Sequence, residues 1–136
     1  QEILSELMSS ATFIKFNEEE LELIAKNIGS NFTSVEENMT FISSSSGAKY
    51  VCVTRGGDGA ILLIEGSFYY NAGYKIIVKD TVGAGDSFLA TLINNLLSDV
   101  KPQTALDYAC AVGTLVAGRE GANPDILGAD IINLMR

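Results

Sequence analysis

Lys79-Asp80-Thr81-Val82-Gly83-Ala84-Gly85-Asp86-Ser87-Phe88 is the stretch on which the reading of this chain turns. Upstream, Tyr74 to Val78 has the look of a strand. Downstream, Phe88, Leu89, Leu92, Ile93, Leu96 and Leu97 recur at the spacing of a helix face. The stretch is therefore a junction where a strand hands over to a helix. Gly83 and Gly85 leave the backbone bare and free to take unusual dihedrals, so successive N–H groups can converge on one point. The helix that begins there adds its own unpaired donors and the positive end of its dipole. Together these make an anion hole suited to the oxygens of a phosphoryl group in transfer. Asp86 falls in the first helical turn, where the dipole favours a carboxylate. A hydroxyl held between Asp86 and a phosphate would give its proton to the carboxylate as it attacks. A carboxylate is a weak base, but the transition state of phosphoryl transfer is loose and the proton can leave late. No Gly-Lys-Ser/Thr follows the glycines, so this is not a Walker A loop. Taken as Gly-x-Gly-Asp alone, the pattern also suits a plain turn with Asp86 as a cap.

Composition narrows the function classes. The 136 residues suit one domain or a large part of one, and 47% are hydrophobic against 19% charged, which is enough apolar material for a core. A formal net charge of -8 with only 9 Lys plus Arg argues against a nucleic-acid partner, which needs a basic stripe. Nucleotide binding stays open, because backbone N–H groups and a metal ion can hold phosphates. The absence of His removes Ser-His-Asp and Cys-His catalysis and His-ligated zinc. Cys52 and Cys110 each sit in an apolar run and read as buried free thiols. No apolar stretch is long enough for a bilayer and the start does not resemble a signal peptide, which predicts a soluble cytoplasmic protein without a membrane partner. Gln1 opens directly into a helical pattern (Ile3, Leu4, Leu7, Met8), which suggests a piece of a longer protein.

Elsewhere the pattern alternates strands and helices. Ala11 to Phe16 reads as a strand ending at Asn17, an N-cap followed by Glu18, Glu19 and Glu20 in a first turn. Leu21, Ile24, Ala25 and Ile28 supply that helix's apolar stripe, and a weaker helix is expected from Ser34 to Phe41, closing through Ser43–Ser46 and Gly47. Tyr50 to Thr54 reads as a buried strand, and Gly56, Gly57 and Gly59 turn the chain into a second, Ala60 to Glu65. Phe68 to Tyr70 resembles another strand, separated from Tyr74 to Val78 by Asn71-Ala72-Gly73. A helix from Gln103 to Ala117 is entered through Lys101-Pro102, and a last short helix is expected between Pro124 and Met135. Such alternation predicts an α/β architecture with a mainly parallel sheet.

Asp80-Thr81-Val82-Gly83-Ala84-Gly85-Asp86-Ser87-Phe88 closely resembles the signature of the ribokinase-like (PfkB) carbohydrate kinases. The resemblance implies a three-layer α/β sandwich, a catalytic base at Asp86, and an anion hole at Gly83, Ala84 and Gly85. Thr54-Arg55-Gly56-Gly57-Asp58-Gly59 is similar to the family's turn along the ATP phosphates and ribose, which implies nucleotide contacts at Thr54, Gly56 and Gly59. Asn17-Glu18-Glu19-Glu20 is similar to the Asn-x-x-Glu motif that organises magnesium and water, which implies an indirect Mg2+ role for Asn17 and Glu20. The same spacing is also an ordinary capping box, and both readings can hold at once. Gly121-Ala122-Asn123-Pro124 resembles the late loop beside the adenine, with Asn123 toward the base or ribose. Asp80 matches a position that holds a monovalent cation, usually K+, in several relatives, whereas Arg119 and Asp125 depart from the late-loop side of that site.

The resemblance covers residues 1–136 but about the second half of the family's usual length. It implies a C-terminal ATP-binding and catalytic part, with the N-terminal sugar-binding motif and the β lid absent. ATP as co-substrate, Mg2+, and a small sugar are the expected partners, and a homodimer is one assembly open to the full-length protein. The wording of the signature is most similar to fructokinases, with ribokinase, 2-keto-3-deoxygluconate kinase and nucleoside kinase as alternatives. A nucleotide-binding regulatory relative, or an inactive fragment, are the non-enzyme alternatives.

Overall fold

The computed structural model describes residues 13–74 and 84–117, together with Met135. The expected helix at Ile3–Met8, the strand residues 75–78, Gly83, Asp80, Asn123 and the tail helix before Met135 lie outside the described residues. The chain divides into two compact units, the first holding residues up to Gly56 and Ala60–Tyr69, the second Gly57–Gly59 and the chain from Tyr70.

In the first unit, β1 (Phe13–Asn17) leads into α1 (Glu18–Asn27) and α2 (Val35–Ser46), and the chain returns as β2 (Tyr50–Thr54). β1 and β2 pair in parallel, with Ile14 opposite Val51 and Asn17 opposite Thr54. A parallel pair needs a long crossover, and the two helices supply it. A 3-10 turn at Gly56–Asp58 then leads to β3 (Ala60–Ile64), which lies antiparallel to β2 with Thr54 opposite Ala60. Glu65 and Gly66, both at positive φ (46° and 89°), join β3 to β4 (Ser67–Asn71). Two positive-φ residues are what a tight hairpin turn with the twist of its strands requires. The sheet order is β1-β2-β3-β4, so the described sheet is mixed: the crossover pair is parallel, and the short turns after β2 leave no room for anything but antiparallel neighbours.

Local chemistry sets the boundaries. Asn17 caps α1 and Ser34 caps α2, each side chain accepting from a backbone N–H in the first turn. Gly47, at φ 76°, ends α2 in the left-handed conformation, so this helix runs one turn beyond the expected Phe41, into the serine run. Within that extension Ser46 Oγ donates to the carbonyl of Ile42, and Ser43 Oγ donates to that of Ala48 just past the helix. Asn71, expected in the separator after β4, is instead the last residue of that strand.

The core of the first unit packs one face of the sheet (Ile14, Phe16, Val51, Val53, Ile61, Leu63) against Leu21 and Ala25 of α1 and Met39 and Ile42 of α2. Cys52 and Leu62, on the other face, are also fully buried, which explains the unbroken apolar runs of β2 and β3. In the second unit, α3 (Ala84–Leu97) and α4 (Pro102–Ala117) pack together, burying Phe88 and Leu92 along with Ala105, Leu106 and Ala109. Asp99, at φ 62°, turns the chain between them, and Pro102 opens α4, where its missing N–H costs nothing. Among the described residues, no helix is long and apolar enough to cross a membrane.

Ile42 is fully buried and Leu23 is 62% exposed. In the full-length protein, Ile42→Ala is expected to lower unfolding stability by about 2–5 kcal/mol, and Leu23→Ala by less than about 0.5 kcal/mol. Denaturant titration measures both, and equal small losses would contradict the core described here.

Candidate active site

The carboxyl ends of β1 and β2 lie side by side, because the register sets Asn17 against Thr54. Asn17 Oδ1 accepts from the Glu20 N–H at 2.8 Å, and Glu20 Oε1 accepts from the Asn17 N–H at 2.9 Å. The capping box read from the spacing is thus formed in full, on an exposed helix start that also carries Glu18 and Glu19. Thr54 Oγ1 donates to the Phe16 carbonyl at 3.4 Å, and Arg55 Nε lies 3.5 Å from Glu18 Oε2. Arg55 therefore brings a cation to this acidic helix start. The motif wording gave no sign of it, since the pair joins residues far apart in sequence.

Magnesium takes oxygen donors and is usually held by one or two carboxylates together with substrate phosphates. Asn17 and Glu20 are oxygen donors at an exposed helix start; the cap takes the one side-chain oxygen of Asn17 and leaves Glu20 its second carboxylate oxygen. Among the described residues, no three His, Cys, Asp or Glu side chains form a metal-holding group. This donor set fits a magnesium ion shared with a bound phosphate, and does not fit one held by protein ligands alone.

The glycines of the following turn differ in what constrains them. Gly56 has φ 57°, and a Cβ there would meet nothing within 4 Å, so its Cα faces open space. Gly59 has φ 94°, and a Cβ would lie 1.8 Å from the Asn71 carbonyl oxygen and 2.5 Å from the Gly73 nitrogen. Among the described residues, Gly56 has open space beside its Cα, whereas Gly59 is confined by the protein's own backbone.

In the second unit, Ala84 opens α3, with Gly85 and Asp86 exposed in its first turn. Asp86 therefore lies in the first helical turn, as the spacing predicts. Cys110 on α4 is a free thiol, pushed up to about 12 by burial and by the nearby Asp107 carboxylate, so it is no nucleophile at neutral pH. A depression of about 440 Å³ on α2, floored by Phe32, Phe41 and Phe68 and edged by Glu36 and Glu37, involves none of the candidate residues.

Residues 1–127 match the pfkB family of carbohydrate kinases. The chain belongs to that family. It is 39% identical over 88 residues to an ATP-dependent ribose-1-phosphate kinase of Halopiger xanaduensis, a match covering 65% of this chain and 30% of the relative. It is 26% identical to a fructokinase of Escherichia coli over 125 residues, covering 88% of this chain and 39% of the relative. Among solved structures, an Escherichia coli protein assigned as a ribokinase II, in complex with ATP and Mg2+, superposes with a TM-score of 0.77 at 25% identity, covering 89% of this chain and 37% of that one. The fold is the ribokinase fold expected from the signature, and this pfkB chain spans well under half the length of the relatives it matches.

Proposed function

We propose that this chain supplies the ATP-binding and phosphoryl-transfer part of an ATP-dependent sugar kinase with a fructose-like acceptor. The observation that carries the reading is Asp86, exposed in the first turn of α3 directly after Gly83-Ala84-Gly85. Helices α1 and α2 use the side chains of Asn17 and Ser34 to satisfy their first N–H groups. The residue before α3 is Gly83, which has no side chain to do so. Those donors suit the oxygens of a transferring phosphoryl group. The acceptor hydroxyl passes its proton to Asp86 as its oxygen bonds to the γ-phosphorus and the bond to ADP breaks. The turn Thr54–Gly59 lies along the nucleotide, with Gly56 leaving its backbone open to the phosphates. Asn17 and Glu20 would organise a magnesium ion indirectly, through water and phosphate, and the ion would offset phosphate charge. Asp80 and Asn123, outside the described residues, are assigned here to a monovalent cation and to the adenosine on the resemblance alone.

One observation favours a second acceptor class. The relative at 39% identity is named for ribose 1-phosphate, so a pentose phosphate competes with fructose. A panel of hexoses, pentoses and pentose phosphates assayed on the full-length protein separates the two, and turnover of none of them would remove the sugar kinase reading.

Asp86→Asn in the full-length protein should lower turnover about 10²–10⁴-fold while ATP binding stays within a few-fold, as measured by coupled ADP release and calorimetry. Turnover close to wild type would remove Asp86 as the base. Glu20→Gln preserves the acceptor that caps α1, so its thermal midpoint should not move. The magnesium concentration for half-maximal activity should rise, and an unchanged magnesium titration would reduce Asn17 and Glu20 to capping alone.

A further inference from the structure

The close approach at Gly59 couples the glycine turn to a part of the chain that no motif singles out. The backbone pressed against Gly59 is that of Asn71 to Gly73. Its shape is set by the Asn71 side chain, whose Oδ1 accepts from the Gly73 N–H at 2.8 Å. The same side chain reaches the other way, Nδ2 donating to Asp107 Oδ1 on α4 at 2.9 Å and to the Tyr74 hydroxyl at 3.2 Å. Asp107 Oδ1 also accepts from Gln103 Nε2 at 2.9 Å, one helical turn earlier, and that amide donates to the Tyr70 carbonyl at 2.8 Å. Tyr74 donates to the Asp107 carbonyl at 3.5 Å. A single carboxylate oxygen thus gathers two side-chain amides, and hydrogen bonds to a charged acceptor are the strong ones. Asp107 is half-buried; of its two amide partners Gln103 lies on its own helix and Asn71 at the end of β4.

We propose that Asp107 is a positioning residue for the nucleotide: through Asn71 it fixes the backbone against which Gly59 rests, and so the place where the Thr54–Gly59 turn meets ATP. The inference rests on the reading of that turn as the nucleotide turn. The chain of contacts is short. Asp107 holds the Asn71 amide, Asn71 holds its own backbone turn, and that backbone leaves no room for Gly59 to move toward it. Releasing Asp107 frees the strand end, and the glycine turn loses the wall that defines its height. The chemistry at Asp86 and the holding of the acceptor do not pass through this network.

The test is made in the full-length protein with Asp107→Ala, Asp107→Asn and Asn71→Asp, reading ATP affinity by calorimetry, KM for ATP and for the sugar, kcat at saturating ATP, and the thermal midpoint. Asp107→Ala should weaken ATP binding about tenfold, the scale of one lost charge-assisted hydrogen bond. The sugar KM and kcat should change less than about twofold, a split that a general loss of structure would not produce. Asp107→Asn keeps an acceptor oxygen in place and should restore most of the affinity. Asn71→Asp keeps the bond to the Gly73 N–H but sets a carboxylate against Asp107, and should match Asp107→Ala. If Asp107→Ala does not fold, Asn71→Asp decides in its place. ATP affinity within twofold of wild type in whichever variant decides would overturn the proposal, as would equal losses in ATP and sugar KM. Gly56→Asn separates the two readings, since Asn tolerates positive φ and fills the open space. Weakened ATP binding there with normal binding in Asp107→Ala sinks this inference alone. Unchanged binding in Gly56→Asn sinks the nucleotide turn and this inference with it.

Discussion

Every helix start leaves backbone N–H groups that the helix itself cannot satisfy, and the structure is organised by how each of its helices meets that constraint. At α1 the answer is reciprocal: Asn17 and Glu20 each bond the other's backbone, which fixes where β1 stops and the helix begins. At α2, Ser34 accepts from Glu37 N–H and donates to the Glu37 carboxylate. At α4, Pro102 has no N–H to satisfy. At α3 the preceding residue is a glycine, and the reading proposed here gives those donors to a phosphoryl group. Among the described helices the same constraint thus produces structure at α1, α2 and α4 and, on the reading proposed, chemistry at α3.

The parallel register of β1 and β2 brings one such junction into the candidate site. Because Asn17 faces Thr54 across the pair, the capped helix start and the entrance to the glycine turn share the carboxyl edge of the sheet. Ligands of open α/β sheets gather at that edge. Arg55, bound to Glu18, places a cation among three consecutive glutamates, so the edge carries both signs of charge. This is compatible with a magnesium–phosphate pair, which also carries both.

Much of this was legible from residues in a row. The cap at Asn17, the strand Tyr50–Thr54, the junction at Ala84 and the helix opened by Pro102 depend on neighbours, and neighbours are what a sequence displays. The length of α2 was underestimated because serines are poor helix formers by propensity; Ser43 and Ser46 bond to backbone carbonyls close by in the chain, a local use of the hydroxyls that propensity does not register. Asn71 looked like turn chemistry, and its bond to Asp107 joins residues separated by 36 positions. Gly59 and Gly56 look alike in the sequence, yet at one an added Cβ would clash with backbone, and at the other only the positive φ favours glycine. The acceptor was not legible either, since none of the motifs in this stretch specifies a sugar.

The central proposal is that this chain binds the nucleotide, and the turn after β2 and the start of α3 are two segments each tested on its own. Hydrogen exchange of the full-length protein with and without saturating MgATP tests it most directly. Amides in residues 54–59 and 84–88 should exchange more slowly in the bound protein, while those on α2, Val35–Ser46, stay unchanged. Nucleotide bound in the same sample, with neither of the first two segments protected, would contradict the account.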